Sequence, residues 1–387
     1  PSPPPTPFSP TLGLGTSVQT FNRNDGLAPY DQTWNVGIQR ELPWNTFLNV
    51  AYVGNRAVHM PSNLNPLNQP NPSVLTLAKQ YYDIDPNFLG ESVSSSIAQE
   101  AGIKTPYTDF ASNFGGGATV EQSLRPFPQY GTIGNTFDMS GSVLYNALQV
   151  QAEKRFTDGL AFLAAYTLSR TMGNVTQGLG SFAAAPLNKF NQKAEFAISP
   201  SDEMHMTRIS GTYELPLGRG KKFVNKGGIT DALAGGWQVS VIADYESGTP
   251  FGVVQSGNPL LNGFNRPNVV LGEHPKTYSY KNVYSNQPVI NTEAFAKTPT
   301  PWDLGNAPAA FPELRNPFVS NENANVAKHF RLGEHARATL QVDYFNILNR
   351  VQFFGPDANV SDSTFGVVGR GQANANRQGQ ALLRVEF

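Results

Sequence analysis

The stretch that decides the fold is Leu148-Gln149-Val150-Gln151-Ala152-Glu153-Lys154-Arg155-Phe156-Thr157-Asp158-Gly159-Leu160-Ala161-Phe162-Leu163-Ala164-Ala165-Tyr166-Thr167-Leu168. Apolar and polar residues alternate up to the Thr157-Asp158-Gly159 turn, and apolar residues recur at every second position from Leu160 to Leu168. A period of two places successive side chains on opposite faces of a strand, and Asp-Gly favours a tight hairpin turn. These residues therefore predict an antiparallel hairpin with one apolar face and one polar face.

The same alternation recurs along the rest of the chain. It predicts about nine strands, each near the roughly 9 to 11 residues that a tilted strand needs to cross a bilayer. The other seven lie near residues 34–40, 48–52, 208–215, 237–246, 324–332, 337–348 and 379–387. The fold class predicted is all-β.

The connections between these strands differ greatly in length. The short turns are 43–45, 157–159 and 333–336, and the 216–235 turn is intermediate. The long loops, rich in Pro and Asn, are 57–141, 171–203, 250–322 and 349–378. Short periplasmic turns that alternate with long extracellular loops are typical of an antiparallel transmembrane β-barrel of the bacterial outer membrane. The strands of a soluble β-sandwich also alternate apolar and polar residues, and the positions of the aromatic residues distinguish the sandwich from the barrel.

Aromatic residues favour the ends of the predicted strands. On the apolar face, interfacial girdles of an outer-membrane barrel would place aromatics at strand ends. The residues assigned to such a girdle are Trp34, Phe156, Tyr166, Tyr213, Trp237, Tyr245 and Tyr344. The last strand alternates through Leu383 and Val385 and ends on Phe387, which resembles the signal that the barrel-assembly machinery recognises. Both features favour the membrane barrel.

The composition excludes several other classes of protein. The net charge is −1, so no basic field is available for a nucleic-acid partner. Cysteine is absent, which removes disulfides, thiolate catalysis and cysteine metal sites. The longest nearly apolar stretch, 160–168, is half of the roughly 18 residues that a membrane helix requires. A membrane protein with this sequence would therefore be a barrel.

No catalytic, cofactor-binding or metal-binding motif is found in the sequence. The five histidines are scattered, without H-x-x-x-H or H-E-x-x-H spacing, and no G-x-S-x-G elbow is present. Gly218-Arg219-Gly220-Lys221-Lys222 lacks the spacing of a phosphate loop and indicates a basic periplasmic turn. The charged residues on the polar faces of the strands are expected to line the barrel lumen, and those singled out are Arg208, Asp244, Glu246 and Asp343.

Nine strands is an odd number, whereas bacterial single-chain barrels have even numbers. We therefore expect residues 1–387 to be the C-terminal part of a barrel that pairs with strands encoded upstream. The chain begins at Pro1 without an initiator Met or a signal sequence, and we interpret it as a fragment.

Several segments resemble the C-terminal barrel of TonB-dependent transporters of the Oar-like branch, which carries a carboxypeptidase-regulatory-like domain ahead of its plug. They span most of the chain and are 34–42 with 50–54, 145–150 through 153–156, 235–240, 265–268 (Asn-Arg-Pro-Asn), 342–349 and the terminal strand. The resemblance implies a plugged barrel of about 22 strands that imports a scarce nutrient with energy delivered by TonB. Nothing in this chain resembles the plug or the TonB box, which lie N-terminal to the barrel in such proteins.

Two other functions remain open at this point. A structural or adhesive surface protein would use the long loops to bind a partner, and a secreted β-sandwich would be soluble without detergent. For a transporter, carbohydrate, peptide, siderophore and cobalamin are all possible substrates, and the aromatic and Asn-rich loops favour sugars or peptides. Convergence of Val36, Val150, Ile209, Val239 and Leu340 on one dry core would contradict the barrel.

Overall fold

The computed structural model describes residues 13–20, 26–175, 186–332 and 336–387. Its strands are β1 (Val18–Thr20), β2 (Tyr30–Leu42), β3 (Thr46–Met60), β4 (Ile133–Asn135), β5 (Gly141–Thr157), β6 (Leu160–Gly173), β7 (Ala197–Ile198), β8 (His205–Glu214), β9 (Trp237–Glu246), β10 (Pro250–Phe251), β11 (Asn268–Val269), β12 (Phe295–Ala296), β13 (Phe311–Arg315), β14 (Val319–Arg331), β15 (Arg337–Phe345) and β16 (Gln378–Glu386). Its α-helices are α1 (Ser73–Tyr81), α2 (Ser96–Glu100), α3 (Phe110–Phe114), α4 (Val120–Ser123) and α5 (Ile229–Ala234). Short 3-10 turns cover Phe88–Gly90, Gly115–Gly117, Lys189–Glu195, Tyr280–Ser285 and Thr292–Ala294. None of the described helices is long and apolar enough to cross a membrane.

One large sheet organises the molecule. Its strand order is β16-β15-β14-β9-β8-β6-β5-β3-β2, so each strand lies beside its sequence neighbour among these nine, and β7 adds a short pairing to β6. All of these pairings are antiparallel. The predicted all-β antiparallel fold is confirmed. Within the described chain, β2 and β16 form the two edges of this sheet and do not pair with each other.

Several strands are longer than the alternation of side chains predicts. β3 has 15 residues and β5 has 17, and they stay paired from Thr46↔Lys154 to Val58↔Ser142. The alternation weakens near Gly54 and Asn146, which lie opposite each other in this ladder. The backbone pairing continues there because each buried N–H and C=O still requires a partner, whatever side chain it carries. The connection predicted over 57–141 is therefore shorter in the structure, where it covers residues 61–140.

Tight turns close the short connections at one end of the sheet. Trp44 and Asn45 have φ values of 62° and 54°, and Asp158 and Gly159 have 53° and 81°. Positive φ at both central residues is the geometry of the hairpin turn whose twist matches that of paired strands. The turns predicted at 43–45 and 157–159 are therefore present. Residues 333–335 of the predicted 333–336 turn lie outside the described residues. The pairing of Arg337 with Glu386 places the C-terminus at this same end.

The register gives the sheet two chemically different faces. We define the two faces by neighbouring rows of residues that run across the strands. The row on the polar face is Gln39, Asn49, Gln151, Ala165, Arg208, Asp244 and Asn321. The row on the apolar face is Ile38, Val50, Val150, Tyr166, Thr207, Tyr245 and Ser320. Val36, Ile209 and Leu340 are 70%, 40% and 43% exposed. Val150 and Val239 are half-buried. The five residues therefore do not converge on a common dry core, as a sandwich would require.

The hydrophobic core lies in the long connections rather than in the sheet. We call these connections the cap, which comprises residues 61–140, 186–204, 247–318 and 346–377. One cluster joins α1 and α4 to Leu260 and Trp302, and a second gathers residues between Val253 and Val368. The sequence pattern of these regions predicts irregular loops, whereas in the structure they pack against each other. Many apolar side chains of the sheet are exposed, and the hydrophobic clusters of the described chain lie in the cap.

Glycine at position 54 allows an aromatic ring to lie flat on the sheet. Gly54 pairs with Trp34, and a Cβ atom at Gly54 would overlap the Trp34 indole. We predict that Gly54→Ala displaces Trp34 and destabilises the β2–β3 pair by about 1 to 3 kcal/mol, the usual cost of overpacking. Thermal unfolding followed by tryptophan fluorescence measures this. Gly116→Ala, where nothing lies within 4 Å, is the matched control; equal stability of both variants would contradict the prediction.

Candidate functional site

Three of the four residues predicted to line the lumen form one ionic cluster on the polar face. Arg208 of β8 lies opposite Asp244 of β9. Its Nε is 3.6 Å from Asp244 Oδ1, and its NH2 group donates to Glu246 Oε1 at 3.0 Å. The cluster lies near the end of the sheet that carries the cap. Arg208 remains 65% exposed, so the guanidinium can still reach a solute.

Asp343, the fourth residue, lies on the same face two strands farther along the sheet. Its carboxylate accepts hydrogen bonds from Asn325, from Gln341 at 2.8 Å and from Gln380 at 2.9 Å. The structure therefore places Asp343 in a separate amide network and not in the cluster around Arg208. Carboxylates joined to amides and to an arginine give a hydrophilic wall that can exchange hydrogen bonds with a polar solute. Lumen lining by these four residues stays a prediction.

A further carboxylate borders the ionic cluster from the cap. Burial, and next the nearby Glu246 carboxylate, raise the pKa of Glu203, while Arg208 opposes the shift. Glu203 lies two residues before the start of β8, and its carbonyl accepts a hydrogen bond from Ser169 Oγ at 2.8 Å. The sequence pattern does not indicate Glu203, because this residue precedes the alternating residues of β8. Together with Asp244 and Glu246 it makes this part of the polar face predominantly acidic.

The structure revises the positions of some residues assigned to the aromatic girdle. Tyr213 and Trp237 lie at the short-connection end of their strands, and Tyr245 and Tyr344 lie at the cap end. β6 continues to Gly173, so Tyr166 lies in the middle of its strand rather than near an end, with its hydroxyl 2.8 Å from His205 Nδ1. The expected end at 168 was wrong because pairing continues through residues with little alternation.

The other two girdle residues also differ from a simple strand-end position. Trp34 is the fifth of the 13 residues of β2 and covers Gly54. Phe156 lies where the register shifts between Lys154 and Thr157, so alternation does not determine which face it occupies. It is 58% exposed. An interfacial role for all seven aromatics stays a prediction.

Two residues of the predicted assembly signal, Leu383 and Val385, lie on the apolar face, and Phe387 follows the last residue of β16. Leu383 pairs with Leu340, and Val385 pairs with Ala338. Leu383, Val385 and Phe387 are 67%, 42% and 99% exposed. Every residue of β16 is exposed because it is an edge strand. Recognition of this strand by the assembly machinery stays a prediction.

Two charged residues on the apolar face were missed by sequence reasoning. Glu322 and Lys328 belong to β14 and alternate with the asparagines of the polar face. Glu322 forms an ion pair with Arg350 of the cap at 3.1 Å. Lys328 is buried and donates to the carbonyls of Leu233 at 3.1 Å and Gly235 at 2.6 Å. A buried charge requires such partners, and the sequence does not indicate them because they come from distant connections.

Buried ion pairs and hydrogen bonds tie the cap connections together. Arg266 pairs with Glu195, and both side chains are less than a tenth exposed. Arg315 pairs with the fully buried Asp202 at 2.7 Å. Trp302 Nε1 donates to the carbonyl of Pro86 at 2.9 Å. These contacts link three of the four long connections, so the cap has a defined arrangement instead of independent loops.

Asp138 fastens the cap where the chain enters β5. Its carboxylate accepts from the Asn65 backbone N–H at 2.8 Å and from Ser140 Oγ at 2.6 Å. Burial by itself would raise the pKa of Asp138, but the hydrogen bonds from Ser140, Asn65 and Ser62 outweigh it and lower the pKa. The ionised carboxylate therefore holds the entry and exit of the 61–140 connection together.

The family model described as "Outer membrane beta barrel domain" matches residues 1–380. The chain belongs to this family. As an outer membrane beta barrel domain, it is located in the bacterial outer membrane. Such barrels alternate apolar-out and polar-in, so the apolar face of its sheet is the face expected to meet lipid.

Solved structures similar to this outer membrane beta barrel domain include the transporter YddB from Escherichia coli, with 9% sequence identity and a TM-score of 0.45 over 95% of this chain and 34% of that chain. The FrpB iron transporter from Neisseria meningitidis (F3-3 variant) has 10% identity and a TM-score of 0.38 over 95% and 32%. The pyoverdine receptor FpvA from Pseudomonas aeruginosa PAO1 has 8% identity and a TM-score of 0.37 over 93% and 30%. The chain spans about a third of the length of each. No curated protein matches the sequence.

Among the described residues, no group of three or more His, Asp and Glu side chains is arranged to hold a metal ion. His59, His205 and His329 lie near the ends of β3, β8 and β14, and His274 lies in the cap. His335 lies outside the described residues. The described side chains of the site offer hydrogen bonds and charge, in an acidic and amide-rich wall beside a packed cap.

Proposed function

We propose that this chain is the C-terminal barrel portion of a TonB-dependent outer-membrane transporter that takes up a small nutrient. The observation that carries the proposal is the ionic cluster of Arg208, Asp244 and Glu246 on the polar face, beside a cap that buried ion pairs hold in place. An exposed guanidinium between two carboxylates is suited to exchanging hydrogen bonds with a passing solute. We propose that the polar face lines the lumen and that the chain has no catalytic role.

The proposal includes the parts of the protein that complete this domain. Residues 1–387 form one barrel segment, and the open edges at β2 and β16 pair with strands encoded elsewhere in the protein. The plug and the TonB box are encoded N-terminal to it, in an arrangement of the Oar-like branch with its carboxypeptidase-regulatory-like domain. The segments around 34–42, 265–268 and 342–349 support this branch because they lie in the order that the branch has. The barrel-assembly machinery and TonB are the protein partners proposed.

Uptake by cells tests the function. A strain lacking the gene for the full-length protein is expected to lose import of one nutrient class when oligosaccharide, peptide, ferric siderophore and cobalamin are supplied separately. Import should return with the wild-type gene and should stop when the proton-motive force is collapsed. If none of the four classes depends on the gene, the transport proposal fails.

Arg208→Gln tests the role of the ionic cluster. The exposed pairs around Arg208 contribute at most about 1 kcal/mol to stability, so the variant should fold and insert normally. Uptake is expected to fall several-fold because the guanidinium no longer orients Asp244 and Glu246. Arg40→Gln, the same change of charge at an exposed position on the apolar face, is the control. Unchanged uptake in the Arg208 variant would show that the cluster does not lie in the path of the solute.

The second candidate is a structural or adhesive surface protein. It is favoured by the preformed cap, which presents exposed aromatics such as Phe137, Phe190 and Phe354 at 51%, 54% and 62%. Because the cap is packed, these rings are held in place and could form a binding surface. This candidate predicts that cells with and without the gene differ in surface attachment but not in uptake of any nutrient.

A further inference from the structure

The connection between β8 and β9 has a composition that sets it apart from the other connections at its end of the sheet. Residues 215–236 contain four basic residues and one acidic residue, a net charge of +3 in a chain whose net charge is −1. They also contain α5, whose residues Ile229 and Leu233 are 80% and 70% exposed. Residues four apart lie on the same side of a helix, so these two side chains form one apolar edge.

Contacts at the end of α5 show which face of the sheet the helix lies on. Trp237 Nε1 donates to the carbonyl of Leu233 at 2.9 Å. Lys328 Nζ donates to the same carbonyl and to that of Gly235. Trp237 and Lys328 are cross-strand partners on the apolar face. The helix is therefore attached to the lipid-facing side of the sheet, at the short-connection end.

The surroundings of Lys328 explain how a charged side chain that holds α5 is tolerated on the apolar face of the sheet. Its Nζ lies 4.8 Å from the centroid of the Trp237 ring and 5.1 Å from that of Phe330. Two carbonyls and two aromatic rings thus surround a cation on a face that meets lipid, so the charge is compensated where water is scarce. Because the carbonyls belong to the C-terminal end of α5, the same contacts also fix that end to the sheet.

The basic residues of this connection precede the apolar edge in the sequence, and Lys222 Nζ lies 5.5 Å from the centroid of the Phe223 ring. Lys221 pairs with Glu214 at 3.2 Å, and Asp231 is engaged by the Arg219 backbone N–H at 2.7 Å. In the parts of the chain that the structure describes, the side chains of Arg219, Lys222 and Lys226 form no ion pair. Phe223 and Val224, between these residues, are 50% and 43% exposed.

We propose that residues 215–236 form a membrane-surface segment that binds anionic phospholipid headgroups of the leaflet at the short-connection end. The apolar edge of Ile229 and Leu233 inserts beside the outer face of the sheet, while Arg219, Lys222 and Lys226 contact the phosphates. An apolar edge flanked by basic residues is the arrangement by which short segments lie in the interface of anionic membranes. The inference depends on the outer-membrane location of the barrel and not on transport.

The test uses the full-length protein in nanodiscs of zwitterionic phosphatidylcholine containing anionic phosphatidylglycerol. A single cysteine, at Ile229→Cys or Leu233→Cys, carries an environment-sensitive fluorophore, and Leu271→Cys in the cap, which is fully exposed, is the matched control. Both helix positions should emit as in an apolar medium and be quenched by spin-labelled lipid, whereas the control should emit as in water. Water-like emission from both helix positions would overturn the proposal.

Lipid preference tests the role of the basic residues. Quenching of the Ile229→Cys probe by spin-labelled phosphatidylglycerol should exceed quenching by spin-labelled phosphatidylcholine, with an enrichment of about fivefold or more at low ionic strength, the factor expected from one basic residue. Replacing Arg219, Lys222 and Lys226 together by Gln should bring the ratio to about one. Equal quenching by both lipids in the unaltered segment would overturn headgroup binding. Nutrient uptake is measured separately, so the transport proposal can fail or stand independently.

Discussion

Arg266→Met is expected to loosen the cap by about 3 to 5 kcal/mol, the usual cost of leaving a buried charge without its partner. Arg266 and Glu195 are 7% exposed each, and they join the 247–318 connection to the 186–204 connection. Without Arg266, the Glu195 carboxylate keeps one hydrogen bond, from the Leu187 backbone N–H at 3.0 Å. Methionine fills a similar volume, so the effect comes from the charge and not from a cavity.

Hydrogen exchange of the cap peptides in detergent-solubilised protein measures this effect. Residues 186–204 and 247–318 should exchange faster in Arg266→Met, whereas β8 and β9 should be unchanged because the sheet does not depend on this pair. Lys79→Gln is the control: it alters a cap ion pair whose lysine is 52% exposed and should cost less than about 1 kcal/mol.

A second variant separates pairing from packing. If Glu195→Gln is combined with Arg266→Met, no buried charge remains unpaired, and the double variant should be more stable than the sum of the two single effects predicts. Strictly additive losses would show that the two side chains are not coupled, which would contradict the structure of this part of the cap.

The cap should also lose stability as the pH rises from about 5 to about 8, because of Glu121. Burial raises the pKa of Glu121 to about 8 from its ordinary 4.5, and Arg125 only partly opposes this. Its side chain is 4% exposed, and one carboxylate oxygen lacks a hydrogen-bond partner among the described residues. A carboxyl group in this environment is more stable protonated than charged.

The sign of the effect follows from proton binding. Because the pKa is higher in the folded cap than in the unfolded chain, the folded state binds more protons between the two values. The stabilisation is therefore complete below about pH 4.5 and is lost as the pH rises through about 8. At about 1.4 kcal/mol per pH unit the full difference is at most about 5 kcal/mol. Hydrogen exchange of residues 61–140, corrected for the intrinsic exchange rate at each pH, measures this change in the stability of the cap.

Glu121→Gln should remove this dependence, because an amide stays neutral over the whole range. The variant should be as stable at pH 8 as at pH 5, whereas Glu100→Gln, at an exposed position in α2, should retain the wild-type slope. A Glu121→Gln protein whose cap still weakens by the same amount between pH 5 and 8 would show that another group is responsible.

Local sequence pattern predicted the sheet well because strand pairing repeats one simple rule. The alternation of Leu148, Val150 and Ala152 with glutamines and a glutamate, followed by Asp158-Gly159, specifies the face, the turn and the partner of β5 without reference to any distant residue. The same reasoning located the other long strands and placed Arg208, Asp244 and Glu246 on polar strand faces, whereas the register of β8 and β9 brings the three side chains together. The pattern did not predict the strand ends correctly, as near Tyr166, because backbone pairing continues beyond the last residues whose side chains alternate.

By itself, then, the sequence determined the antiparallel meander, its two faces and the long and short connections, since each depends on neighbours within one or two strands. Only the tertiary structure decided the cap, the pairing of Arg266 with Glu195, the burial of Glu121 and the attachment of α5 to Lys328. These contacts join residues far apart in the chain, at positions where neither period two nor a motif repeats. Their partners are set by how the connections pack in space, and that packing leaves no local signal.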